Sequence, residues 1–363
     1  MALFVGAISG TSMDGLDLAL VDIADGSITL VASATHELPS ELKATLIALA
    51  HAQNDNLDTL GHTDTALGIF IGAAINTFIA AEGVAPVDVL AIGSHGQTVR
   101  HRPTGAAPFT AQIGDPNQIA EATAIMTVAD FRRRDMAAGG QAAPLVPPFH
   151  EAILAAADES RVVLNVGGIS NITWLNPGQP VTGFDTGPGN AMLDAWVEQH
   201  LGTPYDAGGA WSASGTVVPA LLKACVADPY LGQPPPKSTG KEHYNLTWLQ
   251  HHLPNAARPE DVQRTLVEFT ARSIIDAVSA WAADCRRLLV CGGGRHNLVL
   301  MDRLTDLASF PVDTTDAFGW DGDAIEAAAF AWLAHRRLEH LAGNAPGVTG
   351  AQGDRVLGGV YLG

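Results

Sequence analysis

The stretch LFVGAISGTSMDGLDLALVDI, residues 3–23, decides how the chain is read. An apolar run, Leu3 to Ser9, leads into Gly10-Thr11-Ser12-Met13-Asp14-Gly15 and then into the alternating Leu16 to Ile23. Short apolar runs bounded by a glycine turn predict two strands of a hairpin. A third strand over Ser27 to Thr35 completes a meander before helices near Ser40 to Ala50 and Thr59 to Ala81. The same grammar returns later as Arg161 to Val166, Gly167-Gly168 and Ile169 to Leu175, turning at Asn176-Pro177-Gly178. Two sheets that each open this way predict a duplicated α/β architecture with a cleft between its halves.

Outward from these hairpins, Val89 to Ser94 is a short strand that delivers His95-Gly96-Gln97-Thr98 at its end. Ligand crevices of open α/β sheets lie at such strand ends. The stretch Asp130 to Pro148 holds Gly139-Gly140, Pro144, Pro147 and Pro148 and reads as a connection between domains. The expected division is 1–131 for an N-terminal lobe and 132–345 for a C-terminal lobe, with the tail 346–363 returning to the first. The second half alternates helices (Asn190 to His200, Glu260 to Ala283, Ala324 to Leu341) with the strand Arg287 to Cys291. Its loops Thr203 to Gly209 and Asp228 to Lys241 are long enough to suggest function.

Composition narrows the chemistry. Among 363 residues, 38 acidic against 20 basic side chains give a formal charge of -18, and the longest basic run is Arg132-Arg133-Arg134. A surface built to wrap nucleic acid needs many more cations. An anionic ligand must therefore be held by a local device such as backbone amides or a metal ion. Cys225, Cys285 and Cys291 show no CxxC spacing, so neither a disulfide framework nor a zinc ribbon is expected. A reducing cytoplasm fits that usage. The first ten residues lack the cationic leader of a signal peptide, and no membrane-spanning run is expected. The histidines include no HExxH, and His251-His252 are adjacent, which argues against a transition-metal site.

Gly10 to Gly15 can present several backbone N–H groups to one anion, or it can be an ordinary hairpin turn. Asp14 favours the first reading, because magnesium at a nucleotide needs a carboxylate. No GxxxxGK[ST] motif occurs; Lys237-Ser238-Thr239 follows three prolines, which are too stiff for a phosphate cradle. Gly292-Gly293-Gly294-Arg295-His296-Asn297 departs from a dinucleotide fingerprint at Asn297. Those glycines suit either an adenosine platform or close strand-to-helix packing. Gly167 and Gly168 suit either closure over phosphates or a tight turn. Asp185, in Phe184-Asp185-Thr186-Gly187-Pro188-Gly189-Asn190, lies before a helix start and reads as a catalytic base or as a helix cap. Arg132, Asp135, Gln97 and Thr98 could contact a sugar or line a solvated surface, and Glu326 shares that ambiguity.

Several longer segments resemble one family: SGTSMDGLD (Ser9 to Asp17), IGSHGQT (Ile92 to Thr98), ADFRRRDMAAGGQAAPLVPPFH (Ala129 to His150), LNVGGISN (Leu164 to Asn171), GFDTGPGN (Gly183 to Asn190), PKSTG (Pro236 to Gly240), VCGGGRHN (Val290 to Asn297) and EAAAFAWLA (Glu326 to Ala334). Together they are similar to the anhydro-N-acetylmuramic acid kinases, of the sugar kinase, actin and heat-shock-chaperone ATPase superfamily. The resemblance covers essentially the whole chain. It implies a two-lobed actin-like ATPase (ribonuclease H-like) fold with duplicated mixed sheets, ATP and Mg²⁺ between the lobes, and a cytoplasmic homodimer in peptidoglycan recycling. It implies hydrolytic opening of 1,6-anhydro-N-acetylmuramic acid and phosphorylation of its 6-oxygen, giving N-acetylmuramate 6-phosphate and ADP. No nucleic-acid or membrane partner is expected.

By the resemblance, Asp185 is the catalytic base, ionised at neutral pH. Gly10, Thr11, Ser12, Met13, Asp14, Gly15, Leu16, Asp17, Gly167, Gly168, Gly292, Gly293 and Asn297 bind nucleotide, with Asp14 on Mg²⁺ directly or through water. Gln97, Thr98, Arg132, Asp135 and Glu326 bind the sugar, and Arg132 is the candidate for its lactyl group. The chain departs from the family at Ala142, where glycine is usual, and in the wording of Asp316 to Asp323. Ala142 matters if that position needs a positive φ. Competing readings are a non-catalytic sensor of muropeptide fragments and a chaperone-like ATPase on the same fold.

Overall fold

The structure, a computed structural model, describes residues 2–363 except Thr11, Ser12, Asp14, Asp25 and Asn54. Its strands are β1 (Leu3–Ser9), β2 (Leu16–Ala24), β3 (Ser27–His36), β4 (Val89–Arg102), β5 (Phe109–Ile113), β6 (Thr127–Ala129), β7 (Arg161–Val166), β8 (Ile169–Leu175), β9 (Thr182–Pro188), β10 (Arg287–Cys291), β11 (Val312–Thr314) and β12 (Gly359–Tyr361). They form two sheets, one in the order β12-β6-β4-β1-β2-β3 with β5 on β4, the other in the order β11-β10-β7-β8-β9.

The two sheets repeat one plan. In the first, β1 and β3 run antiparallel to β2, while β4 is parallel to β1 and β6 to β4. In the second, β7 and β9 run antiparallel to β8, while β10 is parallel to β7 and β11 to β10. Burial follows the sequence pattern: the continuous apolar β1 is buried throughout, as a central strand must be, and β3 alternates exposed and half-buried residues. The mixed α/β class and the duplicated sheets expected from the paired hairpins are both present.

The chain divides into two compact units, Met1–Phe149 with Ala324–Gly363, and His150–Asp323. These boundaries differ from the expected 1–131 and 132–345: residues 132–149 and the helix Ile325–Leu338 join the first unit. That helix lies directly on the first sheet, where glycines allow backbone to meet backbone. A Cβ at Gly6 would fall 1.8 Å from the Ala327 carbonyl oxygen, and one at Gly93 would fall 1.9 Å from that of Phe330. Contacts this close exist only where both strand positions lack a side chain.

The first unit's other long helix, Leu57–Ala81, starts at Asn56, whose side chain accepts from Thr59 N at 2.9 Å. Among the described residues it is the one helix long and apolar enough to cross a membrane by length and composition, with hydropathy 1.5. Its Leu67, Ile71, Ile75, Phe78 and Ile79 instead fill the first unit's core at helical spacing. In the second unit the helix Pro259–Trp281 is the central buried element, with Leu266, Phe269, Ile274 and Val278 in the core. Cys225, Cys285 and Cys291 are buried and none is in a disulfide.

Candidate active site

Asp185 lies within β9, not at its end, and its side chain is half-buried. The strand's outer edge is covered by the segment after the three prolines: Asp185 N donates to Lys237 O at 3.3 Å, and Thr239 N donates to Asp185 Oδ2 at 3.0 Å. Tyr230 Oη donates to the Asp185 carbonyl at 2.7 Å. Burial pushes the carboxyl up to about 6; the Thr239 N–H opposes this, Glu242 adds to it and Lys237 opposes it. The group is mostly ionised at neutral pH, yet far more basic than a free aspartate. The helix-cap reading fails: helix Asn190–Leu201 is preceded by Gly189 and has no side-chain cap. Its opening amides are satisfied by the hairpin turn instead, with Asn190 N on Gly167 O at 2.7 Å and Ala191 N on Gly168 O at 3.1 Å. Gly167 and Gly168 thus seat the helix through their carbonyls.

In the first unit the hairpin turn bends at Met13, whose φ is +58° and whose N–H donates to Gly10 O at 3.1 Å. Thr11, Ser12 and Asp14, expected at the nucleotide, lie outside the described residues. Leu16 is fully buried in the core and can offer a ligand only its backbone. Asp17 accepts from Thr35 Oγ1 at 2.7 Å across the β2–β3 pair.

A correction concerns His95-Gly96-Gln97-Thr98, which β4 carries within its length rather than beyond its end. The register shifts between Ala7 and Ile8 so that Ile8 faces Gly96, whose φ is +69°. Gln97 is wholly buried, accepting from Ser9 Oγ at 2.6 Å, so it holds β1 to β4 rather than meeting solvent. Thr98 Oγ1 accepts from Gln112 Nε2 at 3.0 Å.

Arg132 and Glu326 come together electrostatically although 194 positions separate them in sequence. Arg132 Nε donates to His95 Nε2 at 2.9 Å, and its Nη1 donates to Ala142 O. Burial lowers the guanidinium to about 10 while Glu326 and Asp135 counter it, so it remains a cation at neutral pH. His95 is held well below its usual range, first by burial and then by Arg132; its Nδ1 donates to Gly96 O at 2.9 Å. Nε2 is then the lone-pair nitrogen that receives Arg132.

Asp135 needs a second correction. It is fully buried, with Oδ2 accepting from Ala142 N at 2.9 Å and Oδ1 accepting from Asn344 Nδ2 at 2.8 Å and Thr349 Oγ1 at 2.9 Å. It ties the Ala142 segment to the C-terminal segment. Ala142 itself has φ +57°, a left-handed conformation that alanine adopts at a cost glycine does not bear.

The glycine turn after β10 is closely packed at two of its three glycines. Gly292 has φ +77°, and a Cβ there would fall 2.3 Å from Asn165 Oδ1, while one at Gly294 would fall 2.2 Å from Val166 Cγ1. Gly293 is open, its nearest neighbour Asn190 Nδ2 at 3.8 Å. Asn297 caps the helix Leu298–Leu307, accepting from Leu300 N at 3.1 Å. The Asp316 to Asp323 region closes around Arg295, which pairs with Asp316 at 3.2 Å, Asp321 at 2.9 Å and Asp323. Among the described residues no group of three or more His, Cys, Asp or Glu could hold a metal ion. Residues 2–363 match the protein family described as anhydro-N-acetylmuramic acid kinase.

The chain belongs to the anhydro-N-acetylmuramic acid kinase family. As such it is an ATP-dependent kinase acting on anhydro-N-acetylmuramic acid. The kinase is also similar in structure to component A of the (R)-2-hydroxyglutaryl-CoA dehydratase of Acidaminococcus fermentans (10% identity, 92% and 98% of the two chains, TM-score 0.47). It is similar to the activator of the 2-hydroxyisocaproyl-CoA dehydratase of Clostridium difficile (11%, 92% and 97%, 0.45) and to a ROK family glucokinase of Streptomyces griseus (14%, 91% and 99%, 0.41).

Sequence reading of the kinase missed Lys237, Thr239, Tyr230 and Lys241. Lys237 Nζ is buried, donating to Tyr230 O at 3.2 Å and Leu231 O at 2.9 Å, and stands 4.6 Å from the Tyr230 ring centre. Lys241 packs against the glycine turn: a Cβ at Gly168 would lie 3.0 Å from its Cε. The signal was available in PKSTG, rejected as a phosphate loop for its prolines; those prolines precede the segment that clamps Asp185.

Proposed function

We propose that Asp185 is the base that activates water in a coupled ring opening and phosphoryl transfer. Water attacks the anomeric carbon of the anhydro sugar and its proton passes to Asp185. The bond from that carbon to the bridging oxygen breaks, and the freed 6-oxygen attacks the γ-phosphorus of ATP as the bond to ADP breaks. Asp185 then returns the proton to solvent. The products are N-acetylmuramate 6-phosphate and ADP. An alkoxide is a poor leaving group alone, and the phosphoryl acceptor stabilises it; oxocarbenium character at the sugar acidifies the incoming water.

The observation that carries this reading is the half-buried Asp185 carboxylate, held by Thr239 N–H and raised to about 6, where a base works near neutral pH. Arg132, a half-buried cation aimed by His95 and Ala142, suits the lactyl carboxylate of the sugar, with Glu326 as its partner in the same unit. Gly10 to Asp17, Gly167, Gly168 and Gly293 suit the nucleotide. A nucleotide-bound Mg²⁺ takes one or two protein carboxylates and the phosphates. Asp14 would be its ligand, directly or through water, and the ion would neutralise charge developing on the phosphates. The Gln97 and Asp135 side chains support the site without touching sugar. We also propose that the kinase acts as a cytoplasmic homodimer in peptidoglycan recycling, with neither nucleic acid nor membrane as partner.

The test is turnover in heavy-oxygen water with mass spectrometry of the product. One label on the anomeric hydroxyl is expected, and label on the phosphate instead refutes the mechanism. In the same assay Asp185→Asn should slow turnover at least ~10³-fold, the order of a lost acid–base group.

A further inference from the structure

Asp228 is a buried acceptor at the head of the loop that clamps Asp185. Its Oδ1 accepts from Tyr230 N at 2.8 Å, and its Oδ2 accepts from Trp248 Nε1 at 3.1 Å and from His243 Nε2 at 3.0 Å. Only 6% of its side chain is exposed. A carboxylate at Nε2 places the imidazole proton there, so Nδ1 presents its lone pair to Thr239 Oγ1, 3.3 Å away. The ring is fixed on a second side by Tyr244, stacked at 4.2 Å and 13°. Thr239 is the residue whose backbone N–H reaches Asp185 Oδ2. A continuous chain therefore runs Asp228, His243, Thr239, Asp185, within one unit of the fold and across 59 positions of sequence.

From this geometry we infer that Asp228 and His243 are positioning residues for the base: they lock the Thr239 hydroxyl, and thereby hold the Thr239 N–H on Asp185. The chain breaks as a proton path at the Thr239 backbone, so it orients and does not relay. This inference rests on the reading of Asp185 as the base. Residues of this kind act through others, as partners that orient catalytic groups generally do. A loop that only needed to be anchored would be served by the Asp228 bonds to Tyr230 and Trp248; the imidazole adds a hydrogen bond to Thr239 that anchoring does not require.

A positioning role moves the ionisation of Asp185, and an anchoring role does not. The ionisable groups facing that carboxylate are Lys237, Glu242 and Tyr230; those facing His243 are Asp228, Tyr230 and Tyr244. The Thr239 N–H favours the ionised form. Loosening it should raise the acid limb of the kcat/KM profile by about one pH unit, the scale of one hydrogen bond to a charged group.

The experiment measures kcat/KM against pH for the full chain carrying His243→Ala, Thr239→Val, Thr239→Ser or Asp185→Asn. The expected result is an acid limb raised by about one pH unit in H243A and T239V, each alike, and a wild-type profile in T239S, which keeps the hydroxyl. T239V keeps both the N–H and the branched shape, so it decides the matter even where H243A fails to fold. Wild-type limbs in T239V and in folded H243A, with D185N inactive, overturn the positioning role while leaving the base intact. An active D185N overturns the base itself.

Discussion

Asp185→Asn should make the kinase more stable at neutral pH while removing its activity. The substitution keeps the side chain's shape and an acceptor for Thr239 N, and removes only the buried charge. In the folded chain the carboxyl stands at about 6 against 3.8 unperturbed, chiefly through burial. Between those values the native state binds the proton that the unfolded chain has released, so stability falls as pH rises from about 4 to 6 and the cost is complete above 6. That rise corresponds to about 3 kcal/mol at most, and partial exposure of the side chain reduces the expectation to about 1–2 kcal/mol. Urea titrations of wild type and D185N without ligand, at pH 7.5 and at pH 3.5, measure it. The variant's midpoint should be higher at pH 7.5, and the gain should vanish at pH 3.5, where both chains are neutral at this position. In the wild type, kcat/KM should fall about tenfold from its plateau at pH 5, about one pH unit below the carboxyl's midpoint. A D185N variant no more stable than wild type at pH 7.5, or equally stabilised at both pH values, refutes the account of Asp185 as a buried charge held at a cost for catalysis.

Three further outcomes follow from packing and charge. Gly6→Ala should lose about 3 kcal/mol or more in denaturant titration, because its methyl would meet the Ala327 carbonyl at 1.8 Å, whereas Gly61→Ala, in a helix with open space around it, should gain about 0.5–1 kcal/mol. At Ala142, glycine should change stability by less than about 1 kcal/mol, since relief of the left-handed backbone is offset by chain entropy and a lost buried methyl; valine there should cost more than about 2 kcal/mol, read by thermal melting. Glu268 is 3% exposed, and although burial raises its carboxyl, the hydrogen bonds from Arg303 and Arg272 hold it below its usual range. Glu268→Gln should therefore cost about 1–3 kcal/mol at pH 7, and the cost should disappear as pH falls below 4.5, which paired urea titrations would show.

Local signals carried much of the fold. The strands Leu3–Ser9, Arg161–Val166 and Ile169–Leu175 sit where apolar runs and glycine turns place them, because a hairpin is a neighbour interaction, and Arg287–Cys291 sits on its own short apolar run. The β4 strand outran its apolar run to Arg102 because β5 pairs with it from Gln97 onward, which strand periodicity alone cannot register. The same limit hid the unit boundary: the helix Ile325–Leu338 reads like any apolar helix until Gly6 and Gly93 are seen to admit it to the first sheet.

The division within the site has the same cause. Residue type and order along the chain were enough to place it among kinases of anhydro-N-acetylmuramic acid and to offer Asp185, Arg132 and Glu326 as candidates. Tertiary structure alone decided that Gln97 is buried against Ser9 and Asp135 against Ala142, that Arg132 is aimed by His95, and that Lys237 and Thr239 close over Asp185. A side chain's chemistry is written in its identity, but its solvation and its partners depend on which distant segments the fold brings against it, and those two properties set whether a carboxylate is a strut or a base.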